Sequence, residues 1–356
     1  MNIFLILLGC LSLLLIIFFL GIFILAARTV KKRPPLRSGM YTPLILSHDS
    51  ECGYINKPNF NSLYPFGVNQ SYQLCTNPQG IRVNNAAHHN PLPHHPILIV
   101  GNSQSLGFGI NNEYTYAHQL ETLIQHPVLN LSSLSYDLVP CIRRATQFLY
   151  LNPKAVILGC YGDVSACANR TYSGSNIKRI SIPFAKIDAQ GNLSIGEPTN
   201  NHLAIRLTDQ YWTYVCGRTG WHFLKDCYWT AWLLWAEFCK KTPSRFAWNN
   251  THVTPEKEAT AIERLLKDFH QLLKQRNTKL ILFHIASYSE KKATCPPTSL
   301  VDIAKKLSIP LIDSSKNIQN ALDQSIDILI PHEGHLNERG HRVIAEKLAE
   351  DLQAFI

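Results

Sequence analysis

Short unbroken apolar runs recur along this chain, separated by stretches in which apolar residues return every three or four positions. The first pattern suits strands buried on both faces, the second suits helices with one apolar stripe. Runs at 97–100, 128–131, 155–158, 280–285 and 310–313 are predicted as strands. Helices are predicted at 114–125, at 139–151, near 300–306, and from about Asn337 to the C-terminus. Asn152-Pro153 ends the second of these, because the residue before proline leaves the helical region. The best-marked helix opens at Thr254-Pro255-Glu256, with a capping hydroxyl, a proline at the first helical position and an acid in the first turn. Ile262, Leu265, Leu266, Phe269, Leu272 and Leu273 then keep helical spacing. Strands alternating with helices predict a parallel sheet covered on both faces, a three-layer α/β/α sandwich.

The alternation fails in three places. Residues 3–27 are uncharged and almost wholly apolar. About 20 residues at 1.5 Å rise cross a bilayer core, and no basic leader or small-residue cleavage site is present. The stretch 1–27 is therefore read as an uncleaved transmembrane anchor. Residues 28–50 form a basic, proline-bearing juxtamembrane linker. Its Arg28, Lys31, Lys32, Arg33 and Arg37 would place the globular part in the cytoplasm by the positive-inside rule. Residues 51–95 are turn-rich and read as a loop-rich extension. The main domain then spans 96–356, with an insertion at about 165–254. All six tryptophans fall between Trp212 and Trp248, and the run at 227–238 is apolar on nearly every face. A Trp-rich subdomain is predicted there, serving either as a wall over a site or only as its own core.

At 356 residues the chain can bury a full core, and 46% hydrophobic with 17% charged residues excludes disorder. A net charge of +9 suggests an anionic neighbour, but no nucleic-acid motif is present and no nucleic-acid partner is expected. The ten cysteines lack the paired spacing of a zinc site, although Cys52 and Cys75 share one turn-rich stretch and could pair. His88, His89, His94 and His95 stand among Asn and Pro and read as an exposed histidine-rich loop, with a metal site as the alternative.

Two segments carry chemistry. The strand at 97–100 runs into Gly101-Asn102-Ser103, with Gly107 and Gly109 following. A serine at a strand end, in a glycine-rich turn before a helix, is held where a nucleophile should be, and backbone N–H groups there can face an oxyanion. Taken alone, the segment also fits a nucleotide-type or purely structural turn. The second segment, 331–341, holds His332, Glu333, His335 and His341. A zincin is excluded, since its two helical histidines stand four apart, whereas His332 and His335 are three apart with Gly334 between them.

Together these segments resemble the SGNH/GDSL hydrolases, in particular their membrane-anchored bacterial type. The first motif, Gly-Asp-Ser-x-x-x-Gly-x-Gly, matches except at Asn102. The last, Asp-Gly-His-x-Asn-x-x-Gly-His, matches with Glu333 in place of Asp. Gly53, Tyr54, Lys57, Pro58, Asn59, Thr76, Asn77, Gly80 and Arg82 fit the extension that anchored members carry. The resemblance implies an SGNH/flavodoxin-like sandwich with Ser103 as nucleophile, His335 as general base and Glu333 as its orienting acid. Under the stricter Asp-x-x-His spacing His332 would hold the acid position, a role a neutral imidazole cannot fill. The backbone N–H groups of Ser103 and Ser135 would bind the oxyanion, Ser135 standing where the family has glycine. Gly162 stands where the family has the asparagine whose side chain donates to the oxyanion, and Asp163 is implied to be structural. The expected activity is a serine esterase or O-acyl transferase acting on acyl esters of a cell-envelope glycan or lipid, without metal or organic cofactor. An extracytoplasmic (periplasmic) placement follows from the resemblance, against the basic flank. The altered middle motifs leave a second reading, an inactive relative kept as a glycan-binding or scaffold protein.

Overall fold

In the computed structural model of the chain the described residues are 45–66, 70–85, 87–161, 172–173, 180–188, 190–199, 201, 205, 255–289, 292–330 and 334–355, with Ser12, Leu20, Gly21 and Ile24. The chain enters through two antiparallel hairpins, β1 (Leu46–Asp49) with β2 (Gly53–Asn56), and β3 (Asn61–Phe66) with β4 (Gln70–Cys75). The stretch read as a loop-rich extension holds three paired strands, β2 to β4, between its turns, and the end of the expected linker is β1. Cys52 and Cys75 are buried free thiols, not a disulfide.

Next comes the alternating part. β5 (Ile97–Val100), a short helix α1 (Ser103–Leu106), α2 (Tyr116–Ile124), β6 (Val128–Asn130), α3 (Leu138–Thr146) and β7 (Ala155–Tyr161) follow in order. A further hairpin, β8 (Phe184–Ile187) with β9 (Leu193–Gly196), lies inside the expected insertion. The Trp-rich run itself lies outside the described residues. The chain is described again from α4 (Pro255–Lys274), followed by β10 (Lys279–Ile285), α5 (Thr298–Leu307), β11 (Leu311–Asp313), α6 (Ser315–Asp323) and α7 (Glu338–Leu352).

Five of these strands make one parallel sheet in the order β11-β10-β7-β5-β6. Strand alternation sends Leu98 and Val100 to one face and Ile97 and Ile99 to the other. On the first face they meet Val139 and Ala145 of α3, Leu266 and Phe269 of α4, and Leu300 of α5. On the second they meet Tyr116 and Leu120 of α2, Ile318 of α6, and Ile344 and Leu348 of α7. The result is the predicted α/β/α sandwich with a flavodoxin-like strand order. From β5 the chain moves out to β6 and then crosses back to β7, so the winding reverses between β5 and β7. In open α/β sheets the crevice beyond the carboxyl ends of the strands at such a reversal is where ligands bind.

The membrane anchor is corrected. Among the described residues no helix is long and apolar enough to cross a membrane. Of 1–27 only Ser12, Leu20, Gly21 and Ile24 are described. The length and apolarity of 3–27 carried the expectation, and no described helix supports it. The longest described helix, α4, has 20 residues, and its exposed Arg264, Lys267 and Asp268 oppose the buried stripe of Ile262, Leu266 and Phe269. It covers a sheet. The membrane-anchored type of relative, the membrane as partner and the single-pass localisation fall with the anchor.

Candidate active site

β5 delivers the nucleophile candidate. Its four residues are wholly buried, so the strand end is fixed. Asn102 caps α1, its side-chain oxygen accepting from Gln104 N at 3.0 Å. An aspartate would accept the same bond, which explains how asparagine serves there. Gly101 has no room for a side chain: a Cβ would sit 2.3 Å from Ser105 Oγ. Gly107 closes α1 at φ 80°, a left-handed conformation suited to glycine.

Ser103 Oγ lies 2.8 Å from His335 Nε2. The two residues are 232 apart in sequence and come together at the sheet's reversal. His335 stands in the loop before α7. That loop is held by Ile330 N donating to His335 O at 3.0 Å and by a bridge between Leu329 and Leu336. Asn337 caps α7, accepting from Arg339 N and Gly340 N and donating to Asp327 O and Leu329 O. The Phe108 ring packs on the imidazole with centroids 5.2 Å apart.

Gln104 was not singled out by the sequence. Its side chain, 2% exposed, donates to Gly334 O at 2.9 Å and accepts from Leu336 N at 3.2 Å. Its amide therefore grips the backbone on both sides of His335. Arg82, matched only to an extension motif, is 4% exposed and donates to Leu106 O at 2.7 Å, to Gly107 O and Ile110 O, and to Asn112 Oδ1. It braces the loop that follows the nucleophile helix. Burial pulls its guanidinium down to about 10, so it stays charged at neutral pH.

Ser135 has φ 54°. The backbone there keeps the left-handed conformation a glycine would adopt, in the loop between β6 and α3. Ser133 N, two residues earlier, donates to Gly101 O at 3.2 Å and ties this loop to the turn that carries Ser103. Beside Asn102 a small cleft is lined by Tyr136, Leu138, Cys141, Leu158 and Cys160. Glu333, His332, Gly162 and Asp163 lie outside the described residues.

Two further histidines are accounted for by packing. His341 is 1% exposed, accepts from Tyr116 N at 3.0 Å and is pushed down to about 3 by burial and then by the Arg82 and His335 charges. His284, at the end of β10, pairs through Nδ1 with Asp313 Oδ1 at 2.9 Å. Ser315 Oγ lies 2.6 Å from that carboxylate and 2.7 Å from Thr294 O. A serine, a histidine and an aspartate thus meet. Here the hydroxyl is 2.6 Å from the acid and farther, at 3.4 Å, from His284 Nδ1, so the cluster ties β10 to β11. Burial tends to raise Asp313, but the bonds from His284 and Ser315 hold it below the usual carboxylate range.

No family model and no curated protein matches the sequence. Among solved structures the chain is similar to a protein of the lipolytic G-D-S-L family from Desulfitobacterium hafniense, at 12% identity and TM-score 0.38, over 72% of this chain and 99% of that one. It is also similar to a psychrotrophic esterase from Pseudoalteromonas, at 12% identity and TM-score 0.37, over 73% and 98%. An alpha/beta hydrolase enzyme from the metagenome of Lake Arreo matches at 12% identity and TM-score 0.39, over 74% and 97%. These likenesses are too distant to carry function.

Proposed function

We propose that this chain is a serine-dependent hydrolase or acyl transferase of acyl esters. The observation that carries the reading is the 2.8 Å approach of Ser103 Oγ to His335 Nε2 at the crevice where the sheet's winding reverses. Ser103 attacks the acyl carbonyl while His335 Nε2 takes the hydroxyl proton. The tetrahedral oxyanion is held by the backbone N–H groups of Ser103 and Ser135. His335 then returns its proton to the leaving alcohol as the ester C–O bond breaks, leaving an acyl-serine. Water or an acceptor hydroxyl repeats the sequence in reverse. Glu333 orients His335 and stabilises the imidazolium. The cleft beside Asn102, with Leu138, Cys141, Leu158 and Cys160 among its walls, offers apolar surface to the acyl group. This chemistry calls on no metal or organic cofactor. With Gly162 in the donor asparagine's place, turnover is expected to fall on the order of 100–1000-fold below that of a complete oxyanion hole. A cell-envelope glycan or lipid as the ester's carrier is supported by the sequence resemblance alone.

The test is labelling of the full-length protein with a fluorophosphonate probe. Wild type should label, and Ser103→Ala and His335→Ala should not. A folded wild type that stays unlabelled would sink the reading and favour a binding or scaffold protein.

A further inference from the structure

A second cluster of chemistry-bearing side chains lies on α2, away from the serine. His88, His118 and Glu121 each offer one ligand atom, and these atoms all lie within 4.8 Å of one another. His118 and Glu121 are three apart on the helix and so share a face. His88 arrives from the loop that the sequence marks as histidine-rich and exposed; His94 and His95 are exposed, whereas His88 and His89 are half-buried against α2. His89 joins them. His88 Nε2 is 2.7 Å from Glu121 Oε1, and His89 Nε2 is 2.8 Å from Oε2. The two rings stack with centroids 3.8 Å apart. Val128 N also donates to Glu121 Oε2, at 2.7 Å.

We propose that His88, His118 and Glu121 bind a divalent cation of the zinc class, with His89 or a water as fourth ligand. The donor chemistry selects the ion. Imidazole nitrogens with one carboxylate suit zinc, whereas magnesium and calcium want oxygen shells. The electrostatics ask for a cation. Glu121 is only 18% exposed, and the groups that hold its charge are two imidazoles and one backbone N–H. His118 Nδ1 is buried and has no hydrogen-bond partner, while its Nε2 faces the Asn84 side-chain amide at 3.4 Å. With Nδ1 on the metal, Nε2 carries the ring proton and donates, so the Asn84 amide, whose nitrogen now faces Nε2, turns over to present its oxygen. Tetrahedral zinc holds its donors about 3.3–3.5 Å apart. The donor atoms, all within 4.8 Å of one another, have to settle to that spacing when the ion binds. Two bonds are given up, the one between His88 Nε2 and Glu121 Oε1 and the one into His88 Nδ1. Coordination through His88 Nε2 sends that ring's proton to Nδ1, which now accepts from Asn84 N at 3.2 Å. The site pins the histidine loop to the sandwich and does not depend on the serine reading.

The experiment uses the full chain, prepared without a metal-affinity tag and stripped with a chelator. Zinc ions are titrated in competition with a chromophoric chelator, and cobalt(II) is substituted to record its visible spectrum. Wild type should take one ion per chain, with the cobalt bands of a nitrogen and oxygen site and no thiolate charge-transfer band. His118→Ala and Glu121→Gln should each weaken binding at least about 10-fold. At a fixed zinc concentration Tm should rise less in these variants than in wild type. Circular dichroism checks each fold, and His88→Ala, in the loop, serves if an α2 variant does not fold. No zinc uptake by folded wild type, unchanged affinity in the folded variants, or a thiolate band would each overturn the proposal. A protonated His–Glu cluster alone would give the first of these.

Discussion

Gln104 shows how a residue next to the nucleophile can act through its partner. One amide meets the carbonyl before His335 and the N–H after it, so the imidazole's position is set by a side chain that cannot itself react. Gln104→Leu keeps the bulk and removes both bonds. It is expected to slow fluorophosphonate labelling about 100-fold, the effect of misplacing a catalytic group by about 1 Å. Gln104→Glu keeps the acceptor for Leu336 N but sets a carboxylate against Gly334 O. Its labelling rate should fall between those of wild type and Gln104→Leu. A merely structural role would lower Tm and leave the labelling rate of the folded protein unchanged, so both are measured. Ser103 and His335 were legible in the sequence because each stands in a contiguous motif. Gln104 was not, because its partners lie 230 and 232 residues away and a lone glutamine has no spacing signal. Glu121 was hidden from the histidine loop in the same way, some 33 residues on.

Elements were legible where one periodicity ran long enough. Strand β5 and helix α4 start where the apolar run and the Pro255 signal place them. Helix α6 was missed because SKNIQNALD holds little beyond Ile318, Ala321 and Leu322 to mark a stripe. The hairpins of 46–75 were hidden by turn-dense text, in which alternation never lasts long enough to read. The anchor failed differently, since its length was judged from apolarity alone. At the other end of the chain the start of α7 was read correctly, and its cap does more than stop fraying. Asn337 accepts from two N–H groups of α7 and also donates to two carbonyls of the chain before it, so the cap sets the loop that carries His335. Asn337→Ala should cost about 2 kcal/mol, roughly 1 for the cap and 1 for the carbonyl bonds. Asn337→Asp keeps the acceptor and should recover only the cap's share. Urea unfolding of the three proteins checks this, and equal stability of all three would show that the loop is held by other contacts.

For the molecule as a whole, His341 joins two helices that lie far apart in sequence and cover the same face of the sheet. It sits on α7, the last helix, and receives the N–H of Tyr116 at the start of α2, with the rings stacked at 5.8 Å. Burial keeps it neutral down to about 3, while in the unfolded chain it protonates near the ordinary value of about 6.5. The folded pKa is depressed, so this contribution to stability is complete above about 6.5 and is lost as pH falls from there toward 3. Only the unfolded state takes up the proton in that window, which amounts to about 1.4 kcal/mol for each pH unit below 6.5. His341→Gln removes that proton from both states and still offers an oxygen to Tyr116 N. It should be less stable than wild type at pH 7 by about 1–3 kcal/mol, from imperfect packing and hydrogen bonding in a buried site. From pH 7 to pH 5 that deficit should shrink by about 2 kcal/mol, since wild type weakens through His341 and the variant does not. Urea unfolding at both pH values tests the sign. A deficit that stays constant or grows would mean that His341 takes up its proton within the folded protein, and that the link between α2 and α7 survives with a charged imidazole in it.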